Sequence, residues 1–359
     1  MSAAVAGVLV AWGHAQLAPP STFAREVGEL SEPGGSFDTD NLISNERSYL
    51  HVIPAIKERG TTGGAYVGVG PDQNFSYVAA ARPAIAFIID VRRDNLLLHL
   101  LFKALFHLSD TRAEYVGRLF GRRLPARGDR WRGASLGAIL SQVEATEVRR
   151  EDAAAMRKEV TSTVAAFGVP LSASDLTTID RFYRTFIDEG LSLKFQSYGR
   201  APRSYYPTYQ ELLLETDRQG RQVCFLAAEP DYEFVRDLER RDLVIPVVGN
   251  LAGPTALASI GRFLRQRNET VSVIYVSNVE LYLFQNGVFN LYAGTMAGLP
   301  RTKQSLIIRS IFTGPGVWSL PDMKPGYASA SVTQPLDEFA GEYAAHKYLS
   351  YAGLIERHR

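Results

Sequence analysis

Five short apolar runs punctuate the chain, each followed by a turn and then by residues of helical periodicity. They are "GAYVGVG" (64–70), "AIAFIIDV" (84–91), "LVIPVVGN" (243–250), "VSVIYVSN" (271–278) and "SLIIRSIF" (305–312). Continuous runs rich in Val and Ile, rather than alternating ones, are how strands buried on both faces read. The helix-like "FSYVAAA", closed by Pro83, separates the first two runs. "GPTALASIGRFLRQR" follows the third, with Pro254 suited to a first helical turn. This alternation predicts an α/β protein built on an open, mainly parallel sheet with helices on both faces.

Between the second and third runs lies an interval that such a sheet does not need. "LGAILSQVEATEVRREDAAAMRKEVTSTVAAFG" has helix-forming composition, and "SDLTTIDRFYRTFIDEG" opens on Ser174 and closes on Gly190. The chain therefore divides into a leader or disordered N-terminal segment (1–30), a first part of the α/β domain (31–108), a mainly helical insertion (109–242), and a second part with a C-terminal tail (243–359). The end of the insertion, residues 197–220, is rich in Tyr, Arg and Pro and predicts irregular structure.

The first two runs carry the main chemical signal. Gly68 and Gly70 form a glycine turn, and Asp90 ends the next strand twenty residues after Gly70. In a βαβ unit such a turn lets backbone approach a ligand, the following helix offers N–H donors, and the acid accepts from ribose hydroxyls. Asp72 and Asn74 stand in the turn and at the helix start. A dinucleotide pattern asks for a third glycine where the chain has Gln73, and the tighter turn asks for one at Asp72. A pyrophosphate beside Asp72 meets like charge, and Arg92 with Arg93 either receive a cofactor phosphate or pair Asp90.

In layout, the order of glycine turn, "IIDVRRDN", "VIPVVGN" and "VIYVSNVELYL" resembles class I S-adenosylmethionine-dependent methyltransferases. The phrases "SEPGGSFDTDNLISNERSYL", "GGAYVGVGPDQNFSYVAAARP", "DVRRDNLLLHLLFKALF" and "YVSNVELYL" look like a bacterial family of uncharacterised, methyltransferase-like proteins, over most of residues 31–312. The resemblance implies a Rossmann-like, methyltransferase-type open sheet with an inserted helical cap, and S-adenosylmethionine as cofactor. Carried over by position, it puts Gly68 and Gly70 against the methionine part, Asp90 on the ribose, and Asn250 near the adenine edge. Ser277, Asn278 and Glu280 then border the transfer site, with Asn278 and Glu280 orienting a small or peripheral acceptor. The chain departs from the pattern in carrying Tyr66 where methyltransferases usually have an acid, and Asp72 in place of the third turn glycine. A rival reading keeps the same cleft for a nucleotide-like or polar metabolite held without turnover.

Other residues admit a chemical and a plain reading. Asn278 and Glu280 fit an amide that orients a nucleophile and a general base, and equally a helix N-cap with an acid in the first turn. The segment "FDTDNLISNERSYL" (37–50) concentrates Asp38, Asp40, Asn45 and Glu46 ahead of the first strand, where it can fold over the cofactor mouth. Its failure at Leu42 and its lack of glycine exclude an EF-hand. Asn95, His99, Lys103 and His107 recur every fourth residue and predict a solvated helix face. "GASLG" (133–137) lacks the preceding strand of a nucleophile elbow, so Ser135 reads as a helix start. The arginines at 118, 122, 123, 127, 130 and 132 read as a solvated or internally paired surface. Tyr198, Arg200, Arg203, Tyr205, Tyr206 and Tyr209 suit either a lid that stacks a planar substrate or a packed surface loop.

Composition narrows the classes. With 46% hydrophobic and 21% charged residues the chain is an ordinary globular protein, and 39 basic against 38 acidic side chains give no footprint for sequence-independent nucleic-acid binding. The implied partner is a small molecule; neither nucleic acid nor a transmembrane segment is expected, no metal is expected, and oligomeric state is not encoded legibly. Cys224, the single cysteine, reads as a buried apolar residue. The start "AAVAGVLVAWGHA" resembles a signal peptide cleaved after Ala15. No Lys or Arg precedes Arg25, which favours the cytoplasm over export or the periplasm.

Overall fold

The computed structural model describes residues 21–125, 131–199, 203–312, 320 and 323–358. Of the leader or disordered segment expected over 1–30, residues 1–20 lie outside them, as do Arg127, Arg130 and Arg200, whereas Thr22–Leu30 is a helix that buries Phe23, Ala24, Val27 and Leu30. Six strands form one sheet: β1 (Ala65–Gly68), β2 (Ile85–Asp90), β3 (Val244–Val248), β4 (Val271–Tyr275), β5 (Arg301–Phe312) and β6 (Ser329–Pro335). Their spatial order is β3-β2-β1-β4-β5-β6, with every pairing parallel except β5 with β6. The protein is thus an α/β protein with a mostly parallel mixed sheet of the Rossmann-like kind. From β1 the chain winds out to β3, then returns to place β4 on the other side of β1. That reversal leaves a crevice at the carboxyl ends of β1 and β4.

The helices before and within the first half are α1 (Thr22–Leu30), α2 (Ile53–Glu58), α3 (Asn74–Ala81) and α4 (Arg93–His107). The predicted insertion contains α5 (Arg112–Leu119), α6 (Leu136–Ala145), α7 (Arg150–Ala166), α8 (Ala173–Glu189), α9 (Tyr209–Leu213) and α10 (Glu229–Arg240). After β3 come α11 (Ala256–Gln266), α12 (Val279–Gln285), α13 (Phe289–Ala297), α14 (Leu336–Ala344) and α15 (Tyr351–Glu356). Ser135 caps α6, accepting from the Ala138 amide. The cap of α8 is Ser172 rather than Ser174, in a capping box with Asp175. Pro254 precedes the Thr255 N-cap of α11 and so stands just outside the helix.

The reason for the extra helices lies in α4. Every residue from Asn95 to Phe106 is buried, so this helix is apolar nearly all round and needs cover on each side. The sheet and α10 cover part of it, and α7 and α8 the rest. These insertion helices buttress α4 and supply none of the cavity lining described below; the insertion reaches the mouth through its Tyr/Arg-rich loop instead.

The expectation of a solvated stripe on α4 is also overturned, because Asn95, His99 and Lys103 are 1–2% exposed. Lys103 lies 4.5 Å from the Phe23 ring centroid and pairs with Asp242 at 2.8 Å and Glu239 at 3.6 Å. Desolvation pushes the Glu239 carboxyl up to about 7. The stripe is polar because it joins α1, α4 and α10 inside the molecule. Periodicity alone does not distinguish such an interior seam from a wet face.

Gly68 ends β1 where no side chain fits. A Cβ there would overlap the Asn74 amide oxygen and the Tyr66 hydroxyl, whereas Gly70 adopts a left-handed φ of 83°. Gly68→Ala is expected to lower stability by about 1–3 kcal/mol through overpacking. Urea denaturation checks this, and an unchanged midpoint would contradict the close approach.

A candidate ligand cavity at the strand ends

A cavity of about 540 Å³ opens at the carboxyl edge of the sheet. Its walls come from the residues that follow each parallel strand: Val69 to Pro71 after β1, Ile89 to Arg92 across the end of β2, Gly249 to Leu251 after β3, and Ser277 to Val279 after β4. Phe312 closes the end of β5. Two segments distant in sequence form its cover. Ser36, Phe37, Thr39, Asn41 and Glu46 come from the acidic segment before β1; Phe195, Ser197, Arg203, Tyr205 and Tyr206 come from the Tyr/Arg-rich loop. An antiparallel bridge between Thr39 and Ser197 stitches the two together. The Tyr198 amide also donates to the Asp38 carbonyl at 2.7 Å.

Of the residues singled out by sequence, Gly70, Asp90, Asn250, Ser277 and Asn278 line this cavity together. Gly68, Asp72, Asn74 and Glu280 do not. Asn74 is wholly buried behind the glycine turn, where its amide donates to the carbonyls of Val69 at 2.9 Å, Pro71 at 2.6 Å and Gly70 at 3.3 Å. The Tyr66 hydroxyl donates to its Oδ1 at 2.6 Å. Tyr66 thus occupies the place of the expected acid as an internal brace, and Asn74 shapes the turn instead of touching a ligand.

Glu280, read from sequence as a candidate base, packs into the interior. Its carboxylate takes a buried ion pair with Arg309 on β5 and a hydrogen bond from the Tyr292 hydroxyl at 2.9 Å. The cause is geometric: Asn278 occupies the N-cap position of α12, and two residues on, the side chain turns from the rim toward α13 and β5. Asn278 makes no capping bond with its side chain.

At three helix N-termini on the rim, a carboxylate of the chain already fills the anion position. Asp72, buried, accepts from its own amide, the Gln73 amide and the Tyr209 hydroxyl at the entry to α3; desolvation nevertheless raises its pKa to about 6. Asp90 accepts from the Arg92 amide at 2.9 Å at the entry to α4. Glu32 accepts from the amides of Asn250, Thr255 and Ala256 at the entry to α11. Burial opposes its charge, but those bonds hold its carboxyl below the usual range. Of the three, the entry to α3 after the first strand is the position at which doubly wound folds bind a nucleotide's pyrophosphate, and only Asp90 lines the cavity.

Arg92 is likewise committed. Its Nε and Nη2 bond Asp90, while Nη1 donates to the carbonyls of Thr39 at 3.1 Å and Asp40 at 3.0 Å in the cover. Arg93 pairs with Asp175 at the start of α8. Of the two expectations for these arginines, Arg92 takes the pairing with Asp90, and Arg93 lies outside the cavity lining. Among the described residues Asp90 Oδ2 accepts from Arg92 Nη2 alone, which leaves an acceptor position on a residue that lines the cavity.

Sequence reasoning gave no role to Glu46 beyond membership of the acidic segment. It lies at the cavity wall, 2% exposed, with hydrogen bonds from Tyr275, Ser277, Ser310 and Gln73. Desolvation raises its pKa. Ser277 holds a left-handed φ of 52°, an uncommon conformation for a residue with a Cβ and one that clusters at functional sites. The remaining candidates took plain roles. Cys224 is buried, with desolvation pushing its thiol up to about 12. Arg118, Arg123 and Arg132 pair with Glu159, Asp152 and Glu233.

A mostly parallel sheet with a cavity at its switch point, lined by polar groups from four strand ends, defines a Rossmann-like α/β protein with a ligand-sized crevice. The chain belongs to the family described as Domain of unknown function (DUF7790), whose model matches residues 42–123 and 174–359. The unmatched interval, 124–173, holds α6 and α7, which lie away from the cavity lining. A search of curated proteins found no match. No helix among the described residues is long and apolar enough to cross a membrane.

His99 donates through Nε2 to the Gly70 carbonyl at 2.9 Å, and desolvation lowers its pKa to about 4. The folded protein holds this imidazole neutral, whereas the unfolded chain protonates it from about pH 6.5. Its contribution to stability is complete above that pH and is lost as pH falls toward 4. A nitrogen-15 NMR titration is expected to show the Nε2–H tautomer persisting to about pH 4; a midpoint above 6 would contradict the pinned turn.

Proposed function

We propose that this protein is methyltransferase-like and binds S-adenosylmethionine, or a close phosphate-free nucleoside relative, in the cavity at the strand ends. The observation that carries this reading is that Asp72 already fills the anion position at the glycine turn before α3. The pyrophosphate of a dinucleotide would meet like charge there, at a helix start whose N–H donors are already used. A nucleoside that carries a sulfonium and an ammonium instead of phosphate meets no such conflict.

In this reading Asp90 Oδ2 accepts from the ribose, Asn250 and Leu251 border the adenine, and Gly70 admits the methionine part beside Glu46. An acceptor enters toward Ser277 and Asn278 beneath Tyr205 and Tyr206. Transfer forms one bond from an acceptor lone pair to the methyl carbon as the carbon–sulfur bond breaks, with its electron pair returning to sulfur. The chain's contribution is alignment and exclusion of water. A second reading, binding without turnover, is favoured by one observation: Glu280, expected to serve as base, is neutralised by Arg309 in the interior.

Isothermal titration with S-adenosylmethionine and S-adenosylhomocysteine tests the assignment. Both are expected to bind and to raise the melting temperature, while inorganic pyrophosphate and NAD give no heat. Asp90→Ala is expected to weaken S-adenosylmethionine by about tenfold or more through loss of a charge-assisted bond. Binding of NAD without S-adenosylmethionine would overturn the proposal. Release of S-adenosylhomocysteine on incubation with a cell lysate, abolished in Asp90→Ala, separates transfer from binding alone.

A further inference from the structure

Glu46 is a carboxylate removed from water without a counter-charge. The groups that hydrogen-bond it are all neutral: the Tyr275 hydroxyl at 2.6 Å, the Gln73 amide at 3.2 Å, and the hydroxyls of Ser277 and Ser310. No lysine, arginine or histidine among the described residues forms an ion pair with it. Buried charges in proteins are ordinarily paired, because isolation in a low-dielectric interior costs several kcal/mol.

The donors are also unevenly shared. Among the described residues Oε2 accepts from Gln73, Tyr275 and Ser310, whereas Oε1 accepts from Ser277 alone. A carboxylate oxygen has two acceptor positions, so Oε1 has one unused. Gln73, which is 6% exposed and lines the same cavity, has its Oε1 buried with no hydrogen-bond partner. Two unfilled acceptors therefore belong to side chains bonded to each other, one of them anionic, at the wall between β1 and β4. The complement of that pair is a group with several N–H donors and a positive charge.

We propose that Glu46 and Gln73 form a receptor for an alkylammonium group, which docks on the two Oε1 atoms and fixes the amino-acid end of the ligand at the β1/β4 crevice. The inference rests on the nucleoside reading above and assigns to Glu46 the carboxylate that Tyr66 leaves missing. The left-handed Ser277 then has a role: its hydroxyl holds Glu46 Oε1 in place.

Calorimetry on the full chain tests this with two probes that share a nucleoside. S-adenosylhomocysteine carries the ammonium; 5′-methylthioadenosine lacks the amino-acid end. Wild-type protein is expected to prefer S-adenosylhomocysteine by about tenfold or more, the scale of a charged hydrogen-bonded contact. Glu46→Gln is expected to erase that preference by weakening S-adenosylhomocysteine while leaving 5′-methylthioadenosine unchanged. Equal wild-type affinities for the two probes would overturn the amine receptor and leave the nucleoside reading standing. So would a Glu46→Gln protein that retains the preference. If neither probe binds the wild type, the nucleoside reading falls and this inference falls with it.

Discussion

The rim of the sheet is governed by carboxylates that sit on the chain's own helix N-termini. Asp72, Asp90 and Glu32 each satisfy backbone amides at a helix start that would otherwise be left unpaired. Each arrives from a different distance in sequence: Asp72 from within its turn, Asp90 from the strand before, Glu32 from more than two hundred residues away. The result is a Rossmann-like crevice whose glycine-turn helix start is already occupied by Asp72 while its volume remains open. Its charged lining is mixed, with Asp90 paired to Arg92, Arg203 in the cover and Glu46 buried at the wall.

The second organising constraint is α4. A helix buried from Asn95 to Phe106 cannot lie on a two-layer surface, so the chain adds α7 and α8 beyond it. Their packing fixes α4, and α4 fixes the glycine turn through His99 and the Gly70 carbonyl. The helices α7 and α8 thus bear on the site through the helix they support, although they contribute no side chain to the lining.

How much could be read from the chain follows from the range of each interaction. All five apolar runs became strands, because burial on both faces leaves a local mark in composition. Gly70, Asp90, Asn250, Ser277 and Asn278 were found because a strand end followed by a polar residue is a local pattern. Glu280 misled for the same reason, since its partner Arg309 lies on a different strand. The closing strand β6, "SASVTQP", has no apolar run; it is recognisable only beside β5. The buried stripe on α4 has the same spacing as a wet one, and only the packing partners distinguish them. Glu46 depends on Tyr275, Ser277 and Ser310. Its importance is a product of the fold, with no signature in the residues around it.

Arg92 gives the arrangement a further property. One guanidinium grips Asp90 on one side and the backbone of Thr39 and Asp40 on the other. Whatever engages the Asp90 carboxylate acts on the guanidinium, held through Nε and Nη2, whose Nη1 anchors the overlying segment. Occupancy below and tension above are therefore two readings of a single electrostatic knot, and by reciprocity any force that lifts the covering strand must alter the hold on what lies beneath it.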